Sequence, residues 1–162
     1  MLERVLDSEK GAFRFVNRNV PVPGDLRPTW RVALSLLIVA KAGYRGTMSL
    51  NRLHVLSWAA LSKDLRELFL QVLSGKLSKS QFPVRFDPAQ NRAINFARGE
   101  GLLEIVKKKH GLQLKITDRG RDFAAIIEKD PFVFRDEKIF LDAIGQQVTE
   151  SFVRDLIRWR DR

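Results

Sequence analysis

Apolar and polar positions along the chain follow two rhythms, one with the spacing of a helix and one with the alternation of a strand. From Pro28, residues Trp30, Ala33, Leu34, Leu37, Ile38 and Ala42 recur at helical spacing, with proline at the first turn and Gly43 as the stop. Apolar side chains fall nearly all round this helix, which predicts a central position. Ser49 can cap a second helix carrying Leu50, Leu53, Leu56, Trp58 and Leu61. Ser62 can cap a third, with Leu65, Leu68, Phe69, Val72 and Leu73 inward and Gly75 as its end. The two would form a helix-turn-helix-like hairpin. Phe82-Pro83-Val84-Arg85-Phe86 then alternates as a short edge strand does, proline being tolerated there.

Asp87-Pro88 is a second helix start, an acceptor at the cap and proline at the first helical position, and the helix is expected to run to about Arg98 before Gly99 and Gly101 stop it. Leu102 to Val106 is a strand-like run too short to be a helix. Lys107-Lys108-Lys109-His110-Gly111 turns the chain, and Leu112 to Ile116 returns with one face buried and one wet. Thr117 or Asp118 caps a helix whose apolar side is Phe123, Ala124, Ile126 and Ile127, ending before Asp130-Pro131. Two further helical patterns follow, Glu137–Ile144 and Thr149–Trp159, separated by Gly145. The second is amphipathic and needs a cover: the domain's own surface, a second copy or a different subunit. At the other end, Phe13-Arg14-Phe15-Val16 and Val20-Pro21-Val22-Pro23-Gly24 suggest an extended arm laid on the domain or on a partner.

This order predicts an α+β fold with a winged helix-turn-helix core. Residues 1–27 would be an N-terminal arm, 28–129 the winged-helix domain and 130–162 a C-terminal helical extension.

Composition narrows the function. The chain of 162 residues is 44% hydrophobic and 30% charged, enough for one ordinary core. No cysteine is present, which removes disulfide scaffolds and thiolate metal sites and fits a cytoplasmic setting. The longest apolar run, Val32 to Ala40, is broken by Ser35 and is too short to span a bilayer, and the first residues lack the apolar stretch of a signal peptide, so no membrane role is expected. The formal charge is +10 and uneven: residues 1–129 hold 23 Lys+Arg against 12 Asp+Glu, while 130–162 hold 6 against 7. Such an excess favours a polyanion, most often nucleic acid, through counterion release, and it also simply keeps a surface soluble.

Asn91, Asn95 and Arg98 lie at i, i+4 and i+7 of their helix and share one face. Asparagine can make paired bonds to adenine and arginine to guanine, and both also hold phosphates, although the same residues make an ordinary solvated face. Lys107, Lys108 and Lys109, with His110 in the turn and Lys115 on the return strand, could reach phosphates, and lysines at a ribbon end also guard against edge aggregation. Catalysis finds little to use. His54 sits on an amphipathic helix as a packed residue would, Gly99-Glu100-Gly101 ends a helix rather than opening one, and Asp130, Asp136 and Lys138 are not spaced for a metal-centred acidic pair. No enzyme activity, metal or cofactor is expected.

Arg31 to Ala42, then Ser49-Leu50-Asn51-Arg52-Leu53-His54-Val55-Leu56, then Asn91-Arg92-Ala93-Ile94 through Gly101-Leu102-Leu103, and Ile116-Thr117-Asp118-Arg119-Gly120, together resemble the small middle subunit of ABC-type three-component bacterial systems. That group includes the Lamassu anti-phage defence complexes, and the resemblance spans residues 28–129. It implies a non-enzymatic bridge between an SMC-like ATPase subunit and an effector subunit, a nuclease for example, with the basic side facing DNA. On this reading Asn91, Asn95, Arg98, Lys107, Lys108, Lys109 and Lys115 would contact DNA, and Phe152, Leu156, Ile157 and Trp159 would contact protein. The rival readings are a free-standing winged-helix regulator, dimeric through its C-terminal helices, and an interaction protein with no nucleic-acid role.

Overall fold

The computed structural model describes residues 27–109 and 111–160, the last two by backbone alone. The expected arm at Phe13–Val16 and Val20–Gly24, His110 and the side chain of Trp159 lie outside the described residues. The elements are α1 (Pro28–Ala42), β1 (Thr47–Ser49), α2 (Leu50–Ala60), α3 (Lys63–Leu73), α4 (Pro88–Gly99), β2 (Leu103–Lys108), β3 (Gly111–Ile116), α5 (Asp118–Lys129), α6 (Arg135–Ile144) and α7 (Glu150–Arg160). A 3-10 turn at Lys79–Gln81 precedes α4. The fold is mixed α+β, and among the described residues no helix is long and apolar enough to cross a membrane.

The helix starts are where the sequence writes them. Ser49 Oγ accepts from Arg52 N at 3.1 Å, Ser62 Oγ from Leu65 N at 3.2 Å, Asp87 Oδ1 from Ala89 N at 2.8 Å, and Thr117 Oγ1 from Gly120 N at 3.0 Å. Each cap satisfies an amide that the first helical turn leaves without a partner. Helix α1 is buried along most of its length and packs against α2, α4, α5, α6 and the sheet.

One strand was not expected. β1 pairs with β3 in the register Thr47↔Lys115, Met48↔Leu114 and Ser49↔Gln113, so the sheet order is β1-β3-β2 and β3 is central. Three residues are too few to display an alternation. The chain reaches β1 through Arg45 (φ 51°) and Gly46 (φ 73°), and a Cβ on Gly46 would lie 2.7 Å from Ile116 Cγ2. Conversely, Phe82 to Phe86 is not a strand. Phe82 and Val84 are buried and Pro83 and Arg85 exposed, as alternation predicts, yet the segment has no ladder partner and is held by Trp58 Nε1 donating to Pro83 O at 2.7 Å.

The C-terminal helices are not an appendage. Phe140, Leu141 and Ile144 of α6, Val148, and Val153 and Leu156 of α7 belong to the same buried cluster as α1 to α5. Phe69 of α3, fully buried, meets the rings of Phe82, Phe140 and Phe152 at 5.1, 5.8 and 5.9 Å, all edge-on. The thirty-odd residues expected to lie outside the domain complete its core.

Candidate nucleic-acid interface

Helix α4 is fixed to the body at its first turn. Asp87, besides capping it, pairs with Arg31 of α1 at 2.8 Å, and Gln90 Nε2 donates to Ser35 Oγ at 2.7 Å. Ala93, Ile94 and Ala97 complete the buried side, so the remaining arc faces outward: Asn91, Arg92, Asn95, Phe96 and Arg98 are all exposed. The three residues expected on one face are therefore together there. Arg92 and Phe96 widen that face. They were overlooked because a search at i, i+4 and i+7 follows a stripe, while a helix on a core exposes about half its circumference.

Asn91 is not wholly free. Its Oδ1 accepts from Nε2 of His54 on α2 at 2.9 Å, and His54, only 4% exposed, also packs on the Phe86 ring at 5.0 Å. Burial pushes the imidazole below its ordinary pKa, while the bond to Asn91 and the nearby Asp87 charge oppose that shift. The bond orients the Asn91 carboxamide from beneath and leaves Oδ1 a second lone pair.

From α4 the chain turns through Gly101 (φ 68°) into β2. The turn is locked by Thr117, whose Oγ1 donates to Gly101 O at 2.7 Å and whose N donates to Leu102 O at 3.2 Å. Gly120 allows α5 to press against it: a Cβ there would lie 2.1 Å from Leu102 O. The β2–β3 ribbon is buried at its base and bare at its end. The pair Leu103↔Ile116 is 2% and 1% exposed, whereas Ile105 reaches 40% and Leu112 61% on the same face. Leu112 was expected inside, but the core stops below it and the ribbon overhangs. Lys107, Lys108 and Lys109 are exposed at that overhanging end, where Lys107 pairs with Leu112 and Lys108 with Gly111. The fourth basic residue assigned to the ribbon behaves differently. Lys115 pairs across the strands with Glu104 at 2.9 Å, so it is not a free cation as the tip lysines are.

Among the described residues, Arg92, Arg98, Lys107, Lys108 and Lys109 take part in no ion pair, and α4 itself contains no acidic residue. These five cations, with Asn95, are what α4 and the ribbon end can offer an anion; exposed cations without an ion pair among the described residues also lie elsewhere, among them Arg45, Arg85, Arg119, Arg121 and Arg135.

The residues expected to meet a partner protein sit elsewhere. Leu156 is 1% exposed inside the chain's own core, and Phe152 lies against Phe69. Their assignment to an intermolecular surface is corrected: the apolar side of α7 is covered by the domain itself. Ile157 is half-buried beside a cleft bordered by Ser49, Leu112 and Glu150. Apolar surface appears instead on α5, where Phe123 and Ile126, expected inside, are 45% and 69% exposed, and with Phe96 they line a groove of about 490 Å³.

Among the described residues no three His, Asp or Glu side chains gather as metal ligands. Lys138 Nζ donates to the carbonyls of Ile127 and Asp130, and Asp130 Oδ1 accepts from the amides of Phe132 and Val133, bonds that hold its carboxyl below the usual range. Both groups close the α5–α6 turn. No known protein family, curated protein or solved structure matches the chain.

Proposed function

We propose that this chain is a winged helix-turn-helix protein that grips the nucleic-acid backbone with the outer face of α4 and the lysine tip of the β2–β3 ribbon. We further propose that it acts as a non-catalytic accessory subunit, bridging an SMC-like ATPase and an effector in a DNA-sensing defence complex. The observation that carries the first part is that α4 and the overhanging ribbon together expose Arg92, Arg98, Lys107, Lys108 and Lys109, none of them in an ion pair among the described residues. Backbone phosphates are the ligand such a set suits, because charges on flexible stems give affinity without reading sequence. The order α1, β1, α2, α3, α4, ribbon supports the winged-helix reading, with α4 in the recognition position.

The bridging role rests on the resemblance described above. It is supported by Phe123 and Ile126, which with Phe96 leave an apolar groove open on the surface. A free-standing regulator dimerised through α7 is less well supported, since α7 spends its apolar side internally.

The test is fluorescence anisotropy of the full chain with a random-sequence duplex across about 50 to 200 mM salt. Replacing Lys107, Lys108 and Lys109 together by glutamate should weaken binding and make the salt dependence shallower by about three counterions. Unchanged affinity in that variant would sink the nucleic-acid reading. A large preference of the wild-type protein for one particular duplex would favour the regulator. Affinity capture of the chain from its native host should retrieve an SMC-like ATPase; its absence would count against the bridge.

A further inference from the structure

We propose that the apolar groove between α4 and α5 is the seat of this chain's own N-terminal segment, with Val20-Pro21-Val22-Pro23 lying along it. Nucleic-acid binding is not needed for this, because neither the outer cations of α4 nor the ribbon tip takes part. The groove has three walls: Thr29 and Val32 come from the first turns of α1, Phe96 from α4, and Phe123 and Ile126 from α5. Phe96, Phe123 and Ile126 are 52%, 45% and 69% exposed, so the described residues leave this face uncovered. Its volume of about 490 Å³ falls within the range of about 300–1,000 Å³ in which proteins seat a mostly apolar guest. Arg119 and Ile126 both border it, which makes it about 10 Å long at the rise of a helix. An extended chain covers that length in about three to four residues.

Where the remaining chain joins the domain selects the occupant. Residues 1–26 precede the described structure and reach it through Arg27 and Pro28, directly before the wall residue Thr29. Only Gly24, Asp25 and Leu26 separate Pro23 from Arg27. So short a tether holds the segment beside the groove at an effective concentration on the order of millimolar. Its chemistry fits as well. Valine and proline are apolar, proline has no N–H to leave unsatisfied against an apolar wall, and alternating prolines favour an extended chain that loses little entropy on docking between aromatic rings. The rim carries two acids, Glu100 and Asp122, against one base, Arg119, while residues 13–23 hold Arg14 and Arg18 and no acid. A partner subunit using this groove would first have to displace the segment, so bridging would begin with a competition.

The experiment uses the full chain, which has no cysteine, so engineered pairs are unambiguous. In the double variant Val22→Cys, Ile126→Cys a short bismaleimide should join the two sites within one chain. The rate should exceed by about ten-fold that of Val22→Cys, Lys63→Cys, whose second site is exposed on α3. Equal rates would overturn the inference. So would products that link two chains and grow with protein concentration, because a second copy would then be the occupant.

Trypsin provides a reading without crosslinks. Ile126→Asp alters a side chain already 69% exposed, a change the fold tolerates, and should speed cleavage after Arg18 about ten-fold. Ile139→Asp, on α6 and 61% exposed, should leave cleavage at the wild-type rate. The same rate in all three proteins would refute the docked segment. Crosslinking no faster than in the control pair, together with loss of the captured ATPase in Ile126→Asp, would assign the groove to a partner and equally overturn the inference. A lysine-to-glutamate variant that still binds DNA touches only the nucleic-acid reading.

Discussion

Lysines do opposite work at the two sides of this molecule. Where α7 meets the body, Lys79 Nζ bonds Asp155 Oδ2 at 2.7 Å and lies 5.1 Å above the Phe152 ring, and Lys41 similarly ties α1 to Glu128 and Asp142 at 2.7 and 2.8 Å. At the end of the ribbon, Lys107, Lys108 and Lys109 find no acid at all among the described residues. A lysine pair with defined partners fastens one element to another, while unpaired lysines on an overhanging ribbon only build a field. The formal charge of +10 is a sum that does not say which cations are paired; α4 and the ribbon end hold five exposed ones with no ion pair among the described residues.

The sharpest way to break this contrast is to loosen the fastened side. Phe69→Ala removes the ring around which Phe82, Phe140 and Phe152 are arranged, and should cost about 3–5 kcal/mol in denaturant unfolding. If stability is unchanged, α6 and α7 are not held as described. A middle-sized effect is expected at His54, which links the body to the open face. Its folded-state pKa is depressed by burial, so the folded protein binds fewer protons than the unfolded one, and stability rises with pH. The wild type should lose stability as pH falls below the unfolded imidazole value of about 6.5. His54→Gln should flatten that slope, and parallel melting curves for the two proteins would refute the buried, neutral histidine.

The smallest effect sharpens the comparison from the paired side. The bond from Lys79 holds the Asp155 carboxyl below its usual range, so its contribution is present above the unfolded carboxylate pKa and disappears as acid protonates the folded state. The difference in melting temperature between wild type and Asp155→Asn should close below about pH 4. A difference that persists in acid would mean the pair contributes nothing by charge.

Much of the fold could be read locally. Ser49, Ser62, Asp87 and Thr117 each cap the helix they precede, because a cap needs only a side-chain oxygen within three residues of the amide it serves. The ribbon and its basic end were legible for the same reason. Amphipathic pattern misled where it had to name the neighbour: Phe123 and Ile126 look like core and are bare, Leu112 overhangs, and Leu156 looks like an interface and is sealed. Of the candidate site, Asn91, Asn95 and Arg98 do share a face, but the hydrogen bond from His54 spans 37 residues of chain and no spacing rule could show it.

By itself, then, the sequence determined the helices, the ribbon, the lack of thiol chemistry and the surplus of positive charge, since caps, periodicity and composition act over a few residues or none. Tertiary structure alone decided that Thr47–Ser49 is a strand, that the last two helices finish the core, and which cations stay unpaired. Those outcomes depend on which distant groups come within a few ångströms of one another, and that is a property of the packed chain as a whole.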